Sequence, residues 1–217
     1  MANVTGESAN DVSSYMTAIW NNFDNGSKSL EYYADVMTAL GAATASSTDE
    51  IATGLEKFAG IAETVGLSYE YATSALATLV AETRQSPETV GTALKTIFSR
   101  LQGLKLGETL EDGTDLNKYS EALGIIGVNI KDSNGELKDM DLILDEIGAR
   151  WNHIGRAEQM ALAQTVGGVR QYTQLITLMD NYKDFKVNVE IGETAGGTLE
   201  QQAYIYADSW EAASKKV

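Results

Sequence analysis

Apolar residues recur along this chain at helical intervals. Val90, Leu94, Ile97, Phe98 and Leu101 fall at i, i+4, i+7, i+8 and i+11, which is one face of an α-helix. Ser86 stands before them as an N-cap, and Pro87 takes the first helical position, where its missing N–H costs nothing. Ile51, Leu55, Phe58, Ala62 and Val65 form a similar stripe, with Ser47 and Glu50 at capping-box spacing in front and Gly66 to close it. Ser68 opens the next helix. Asn10 or Asp11 opens the first, with Val12, Met16, Ile19, Trp20 and Phe23 on one side.

These stripes repeat. A shift of 39 residues aligns Ser29 with Ser68, Glu31 with Glu70, Tyr32 with Tyr71, Leu40 with Leu79, Ser47 with Ser86 and Leu55 with Leu94. Polar caps match as well as apolar positions. A period near 40 with two helices per unit is the arithmetic of a helical-hairpin array, in which each hairpin buries its stripe against its neighbours.

From Gly103 to Asp115 the pattern breaks at Gly103, Gly107 and Gly113, which reads as a loop and a domain boundary. A short helix follows, capped by Asp115 and running through Tyr119 and Leu123. Asn134-Gly135 then lies between short apolar runs, a local β-hairpin signal. Ile143, Leu144, Ile147, Trp151 and Ile154 mark another helix. Ala157, Met160, Ala161 and Val166 mark the next, stopped at Gly167-Gly168, and Val169, Tyr172, Ile176 and Met179 mark a third. Phe185, Val187, Val189 and Ile191 alternate strictly, which favours a strand, although pattern alone leaves that stretch open. Thr198 with Gln201 has capping-box spacing and starts a final helix through Trp210. The chain reaches Val217 without a helix stop, as if cut from something longer.

The expected fold is therefore all-α. An array of antiparallel helical hairpins with a repeat near 39 residues occupies 1–103. A second helical subdomain occupies 104–182 and carries a small β-hairpin near 128–137. A variable linker spans 183–197, and a terminal helix spans 198–217.

Charge narrows the partners. The chain's 217 residues carry 16 basic and 31 acidic side chains, a net charge of −15. Residues 1–80 hold ten of the acids and two of the bases. A phosphate backbone is held by Lys and Arg, so direct nucleic-acid binding is not expected. The N-terminus lacks the basic and apolar regions of a secretory signal, and no apolar run approaches the ~20 residues that span a bilayer. There is no cysteine, which removes disulfides, thiolate metal sites and a Cys nucleophile, and makes cytoplasmic synthesis the simplest reading.

Candidate chemistry is thin. A Ser–His–Asp relay would have to use His153, the single histidine, which reads as a surface or helix-terminal residue. Asp139, Asp141, Asp145 and Glu146 invite a cation, but acids at a helix N-terminus normally answer the macrodipole, and the nearby Asp132-Ser133-Asn134-Gly135 puts its glycine too early for an EF-hand. No carboxylate pair stands out for glycoside hydrolysis. Gly167-Gly168-Val169-Arg170 could cradle a phosphate but lacks the spacing and Lys-Ser/Thr of a P-loop. It reads better as a tight helix–helix turn, with Arg170 salt-bridged inside the fold. Tyr32, Tyr33, Tyr69 and Tyr71 recur at the repeat period and read as packing rather than as a base-stacking platform. No cofactor, metal or catalytic residue is expected. The residues expected to carry packing and interaction are Leu94, Phe98, Arg100, Trp151, Gly167, Gly168, Arg170 and Trp210.

One stretch carries a resemblance. Val90-Gly91-Thr92-Ala93-Leu94-Lys95-Thr96-Ile97-Phe98-Ser99-Arg100-Leu101-Gln102-Gly103 resembles the signature of tail tape measure proteins from long-tailed phages, chiefly those of Gram-positive hosts. Further elements of that family follow in order. They are a Gly-containing hairpin, Ile143-Leu144-Asp145-Glu146-Ile147 with Trp151, Ala161 to Arg170, Leu178-Met179-Asp180-Asn181, and Tyr206 to Ala213. Phe185 to Ile191 departs from it as a variable stretch.

The resemblance implies a structural, non-enzymatic segment of a much longer protein. Such a protein lies in the tail lumen of the virion, sets tail length and leaves with the DNA at injection. It also implies self-association, contact with tail-tube and tail-tip proteins, and binding by assembly chaperones. Two other readings remain at this stage: a helical-repeat module that docks a chaperone or tail-tip protein, and a cell-wall hydrolase whose activity would depend on His153 or one of the acids.

Overall fold

Serine caps set the beginnings of the first helices. In the computed structural model, which describes residues 1–5, 7–24 and 26–214 (the backbone alone at 3, 4 and 210–214), the short α1 (Ala2–Thr5) precedes α2 (Ala9–Phe23). Ser8 caps α2 by accepting the Asp11 N–H at 3.2 Å, ahead of the Asn10 or Asp11 start expected. Ser29 opens α3 (Leu30–Ala43), Ser47 opens α4 (Thr48–Thr64), Ser68 opens α5 (Tyr69–Thr83) and Ser86 opens α6 (Pro87–Lys105). Each accepts a backbone N–H three residues on, which satisfies one of the donors a helix start leaves unpaired. Glu50 completes the box on α4 by accepting the Ser47 N–H at 2.8 Å. Gly66 closes α4 at φ +73°, with the Leu67 N–H donating back to Ala62 at 2.9 Å.

The second half follows as α7 (Leu116–Ile125), α8 (Met140–Trp151), α9 (Arg156–Asp180), α10 (Tyr182–Glu193) and α11 (Thr198–Ser214). The helical class stands, and no described helix is long and apolar enough to cross a membrane.

Four local expectations are corrected. The first concerns the hairpin near 128–137, which shrinks to one antiparallel bridge between Lys131 and Leu137, with no strand among the described residues. The Asn129 and Asp132 side chains take the N–H groups of Lys131, Asn134 and Glu136, so side chains satisfy donors that a longer ladder would have used. Second, the alternating stretch 185–191 is helical, within α10. Phe185 and Val189 are buried four residues apart on one face, and Val187 is half exposed, so period-four burial against α5 and α3 overrides the period-two pattern. Third, α6 runs past Gly103 to Lys105 rather than stopping there. Fourth, the inner face of the 156–167 segment is Leu162, Ala163 and Val166, while Ala157, Met160 and Ala161 face out.

One continuous core joins these elements. α4 packs against α2 on one side and α6 on the other, α5 packs against α3, and α10 covers α3 and α5. α9 leans on α5, α6, α7 and α8. The approach of α4 to α6 depends on glycine. A Cβ on Gly91 would collide with the Gly54 carbonyl oxygen, and one on Gly54 would meet the Leu76 side chain at 2.7 Å. Buried side chains from Tyr15 in α2 to Ala195 after α10 belong to this core, which carries across residue 103 without interruption.

Candidate functional site

The signature stretch lies on α6, where its alternation of faces has a plain cause. Val90, Ala93, Leu94, Ile97, Phe98 and Leu101 all point inward, and Phe98 meets Phe58 of α4 with ring centroids 5.7 Å apart. Leu94 and Phe98 are thus core residues. Arg100 lies off this apolar stripe and reaches toward α9.

Gly168 explains what Arg100 finds there. It takes φ +77° and ψ 160° in the middle of α9, a conformation open to glycine and strained for other residues, and it bends the helix at that point. The Arg100 guanidinium rests against Gly168 and donates to the Thr165 carbonyl at 2.9 Å. It also pairs with Asp112 of the 106–115 loop at 2.9 Å, with side-chain exposures of 12 % and 21 %. Burial pushes the Asp112 carboxyl up, but hydrogen bonds from the Thr114 hydroxyl and N–H, together with the Arg100 charge, outweigh it and hold the group below its ordinary value. One guanidinium therefore ties α6, the loop and the bend of α9 together. A cavity of about 300 Å³ opens beside it, lined by Thr96, Arg100, Glu111, Asp112, Gly167, Gly168, Val169 and Arg170.

The expectation for Arg170 is overturned. Arg170 is exposed on the rim of this cavity, and Arg100 takes the buried, ion-paired role expected of it. The turn beyond Gly168 leaves Arg170 and Val169 on the outer side, Val169 being 62 % exposed. The glycine pair forms the turn between two helical segments that its sequence suggested.

Trp151 joins the two ends of α9. It is fully buried, its indole N–H donates to Asp180 at 2.6 Å, and its carbonyl accepts from the Gln159 side chain at 2.9 Å. The Trp210 side chain lies outside the described residues.

The acids near α8 are occupied by neighbours. Asp145 accepts the Tyr71 hydroxyl at 2.8 Å, the Tyr182 hydroxyl at 3.1 Å and the Lys186 ammonium at 2.8 Å, so that it joins α5, α8 and α10. Glu146 pairs with Lys138. Asp141 has its carboxyl pushed up by burial, and by Asp139 and Asp145 beyond what the Leu142 N–H offsets. No group of acids or histidine among the described residues is placed to hold a metal ion. His153 is exposed just beyond the end of α8.

The tyrosines are packing residues. Tyr33 and Tyr69 meet edge to face at 4.8 Å, Phe23 meets Tyr69 at 5.2 Å, and the Tyr69 hydroxyl donates to the Tyr33 carbonyl at 2.8 Å. Tyr32 donates to Glu70. Sequence reasoning missed Asp35, Asp112, Asp145 and Asp180 as structural partners. The one local signal was Asp35 itself, an acid set among the apolar residues of α3.

The family model for phage-related minor tail protein matches residues 1–168, well over half of the chain and ending at the Gly168 bend. No solved structure matches the chain.

Proposed function

The chain belongs to the phage-related minor tail protein family, and from that premise we propose that it is a structural segment of a tail tape measure protein, acting in the tail lumen to help set tail length and nucleate tube assembly. Membership makes it a component of the virion tail. The observation that carries the finer reading is where the signature falls. Residues 90–103 build the seam between α4 and α6, and Arg100 of the same stretch clamps the bend of α9, so the signature residues are spent on architecture. Of the acids weighed for chemistry, Asp145 is held by Lys186 and Glu146 by Lys138. The proposal therefore includes no enzymatic activity, and purified chain should lyse no cell wall.

We read the 39-residue spacing as a repeated hairpin unit. Ser29 and Ser68 cap α3 and α5, Ser47 and Ser86 cap α4 and α6, and helices one period apart pack side by side. The proposed partners are further copies of the chain, tail-tube and tail-tip proteins, and an assembly chaperone. Charge supports the lumen setting, because a net −15 repels DNA leaving through the same tube.

The test is an in-frame deletion of residues 48–86 in the phage. It removes α4 and α5 and joins Ser47 to Pro87, so α6 keeps a serine cap. In the ruler reading the helices are drawn out end to end in the tail rather than packed side by side as in the folded chain, so at a rise of ~1.5 Å per residue tails measured by negative-stain electron microscopy should shorten by roughly 60 Å. Tails of unchanged length would overturn the ruler role.

A further inference from the structure

Asp35 lies deep in the molecule and holds the start of the last helix. It projects from α3, is 4 % exposed, and accepts the Gly197 N–H at 2.9 Å and the Leu199 N–H at 2.8 Å. These donors belong to the start of α11, where N–H groups have no partner within the helix. The expected box of Thr198 and Gln201 is thus replaced by a carboxylate from another element, which also answers the positive end of the helix dipole. A carboxylate this deep is costly unless it is hydrogen-bonded, so the seat on α3 requires a helix start.

The rest of the attachment lies along the first part of the helix. α11 packs on α3 and α1. Past Ala203 it leaves the body, with Tyr204 76 %, Ile205 58 % and Tyr206 48 % exposed. The connection from α10 is Thr194-Ala195-Gly196-Gly197. Gly197 takes φ +82°, and a Cβ on either glycine would meet nothing within 4 Å. The space around both glycines is open, and glycine lets the joint take other backbone conformations once the Gly197 N–H leaves Asp35.

We infer that α11 is an exchangeable arm, and that the seat on α3 takes the α11 of a second copy of this chain in place of its own. The contacts in the exchanged state are those already present, with Asp35 bonded to Gly197 and Leu199 of the incoming arm, so the change costs only joint rearrangement and association entropy. A vacated seat strips Asp35 of both backbone donors, which favours refilling it. Tyr204, Ile205 and Tyr206 form an apolar set that one copy leaves open and a second body can cover. Reciprocal exchange closes a dimer, and one-way exchange continues as a chain. The inference rests on the α3–α11 contact alone and does not depend on the role in the tail.

The chain has no cysteine, so introduced thiols report without background. Ala42 and Gln202 line one cavity, the first on the seat and the second on the arm. Full-length Ala42→Cys and Gln202→Cys variants are expressed separately, mixed at high concentration, held through a partial denaturation and refolding cycle, and oxidised. The expected result is a disulfide-linked dimer in which mass spectrometry finds positions 42 and 202 joined. Its yield should be at least tenfold above a control pairing of Glu121→Cys, on exposed α7 surface, with Gln202→Cys. A 42–202 yield at the control level, or equal yields from both pairings, overturns the inference.

Discussion

Arg100 is the residue whose loss should be felt furthest. Arg100→Met leaves the Asp112 carboxylate and the Thr165 carbonyl without their donor, and the partial exposure of the pair sets the cost at about 2–3 kcal/mol in urea unfolding. The variant should also respond differently to acid. Because the folded-state pKa of Asp112 lies below its unfolded value of 3.8, its contribution is complete above that value and is lost as pH falls through the depressed one. Arg100→Met should therefore lose less stability than the parent below about pH 4, and parallel acid limbs would count against the pairing. The tyrosines act at the other end of the scale. Burial first, and neighbouring carboxylates at most of these sites, raise Tyr15, Tyr32, Tyr33, Tyr69, Tyr71 and Tyr182, and burial alone raises Tyr119. Their stabilisation is complete below the ordinary tyrosine value of 10 and is lost as pH climbs toward the raised values. Absorbance at 295 nm should show most tyrosinate appearing only as circular dichroism reports unfolding; full titration near pH 10 in the folded state would contradict the packing. Residues with local causes were legible in sequence: Leu94 and Phe98 as core, Gly167-Gly168 as a turn. The partner of Arg100 was not, because Asp112 reaches it from a loop whose course depends on tertiary contact.

Among elements, capped helices could be read from sequence because a cap is a contact over three residues, whereas the type of α10 could not. Its period-two alternation is real, and only the presence of α3 and α5 against Phe185 and Val189 decides that the period-four signal governs. The 128–137 turn failed as a hairpin for the converse reason, since Asp132 and Asn129 satisfy donors locally before a ladder can extend. Glycines separate helix packing from helix propensity. Gly91→Ala should destabilise by about 1–3 kcal/mol, because the added methyl meets a backbone carbonyl of α4 that cannot rotate away. Gly124→Ala, in α7 with nothing within 4 Å of the new methyl, should stabilise by roughly 0.5–1 kcal/mol. Denaturation midpoints of the two variants moving in the same direction would contradict the close α4–α6 seam.

At the scale of the whole molecule, the all-helical class and the caps at 39-residue spacing were visible in the sequence, and the continuity of the core was not. Gly103 and Gly107 looked like a boundary, yet α6 runs through the first of them and carries the core into the second half, where α9 closes on it. The account's central claim is that this helical body is part of the structure that sets tail length. Duplicating residues 48–86 in tandem tests it most directly. The new junction joins Ser86 to Thr48, so the inserted α4 begins after a serine with Glu50 at the capping-box position. With the helices drawn out end to end in the tail, phage carrying the duplication should assemble tails longer by roughly 60 Å, the rise of 39 helical residues. Fully assembled tails of parental length would contradict it.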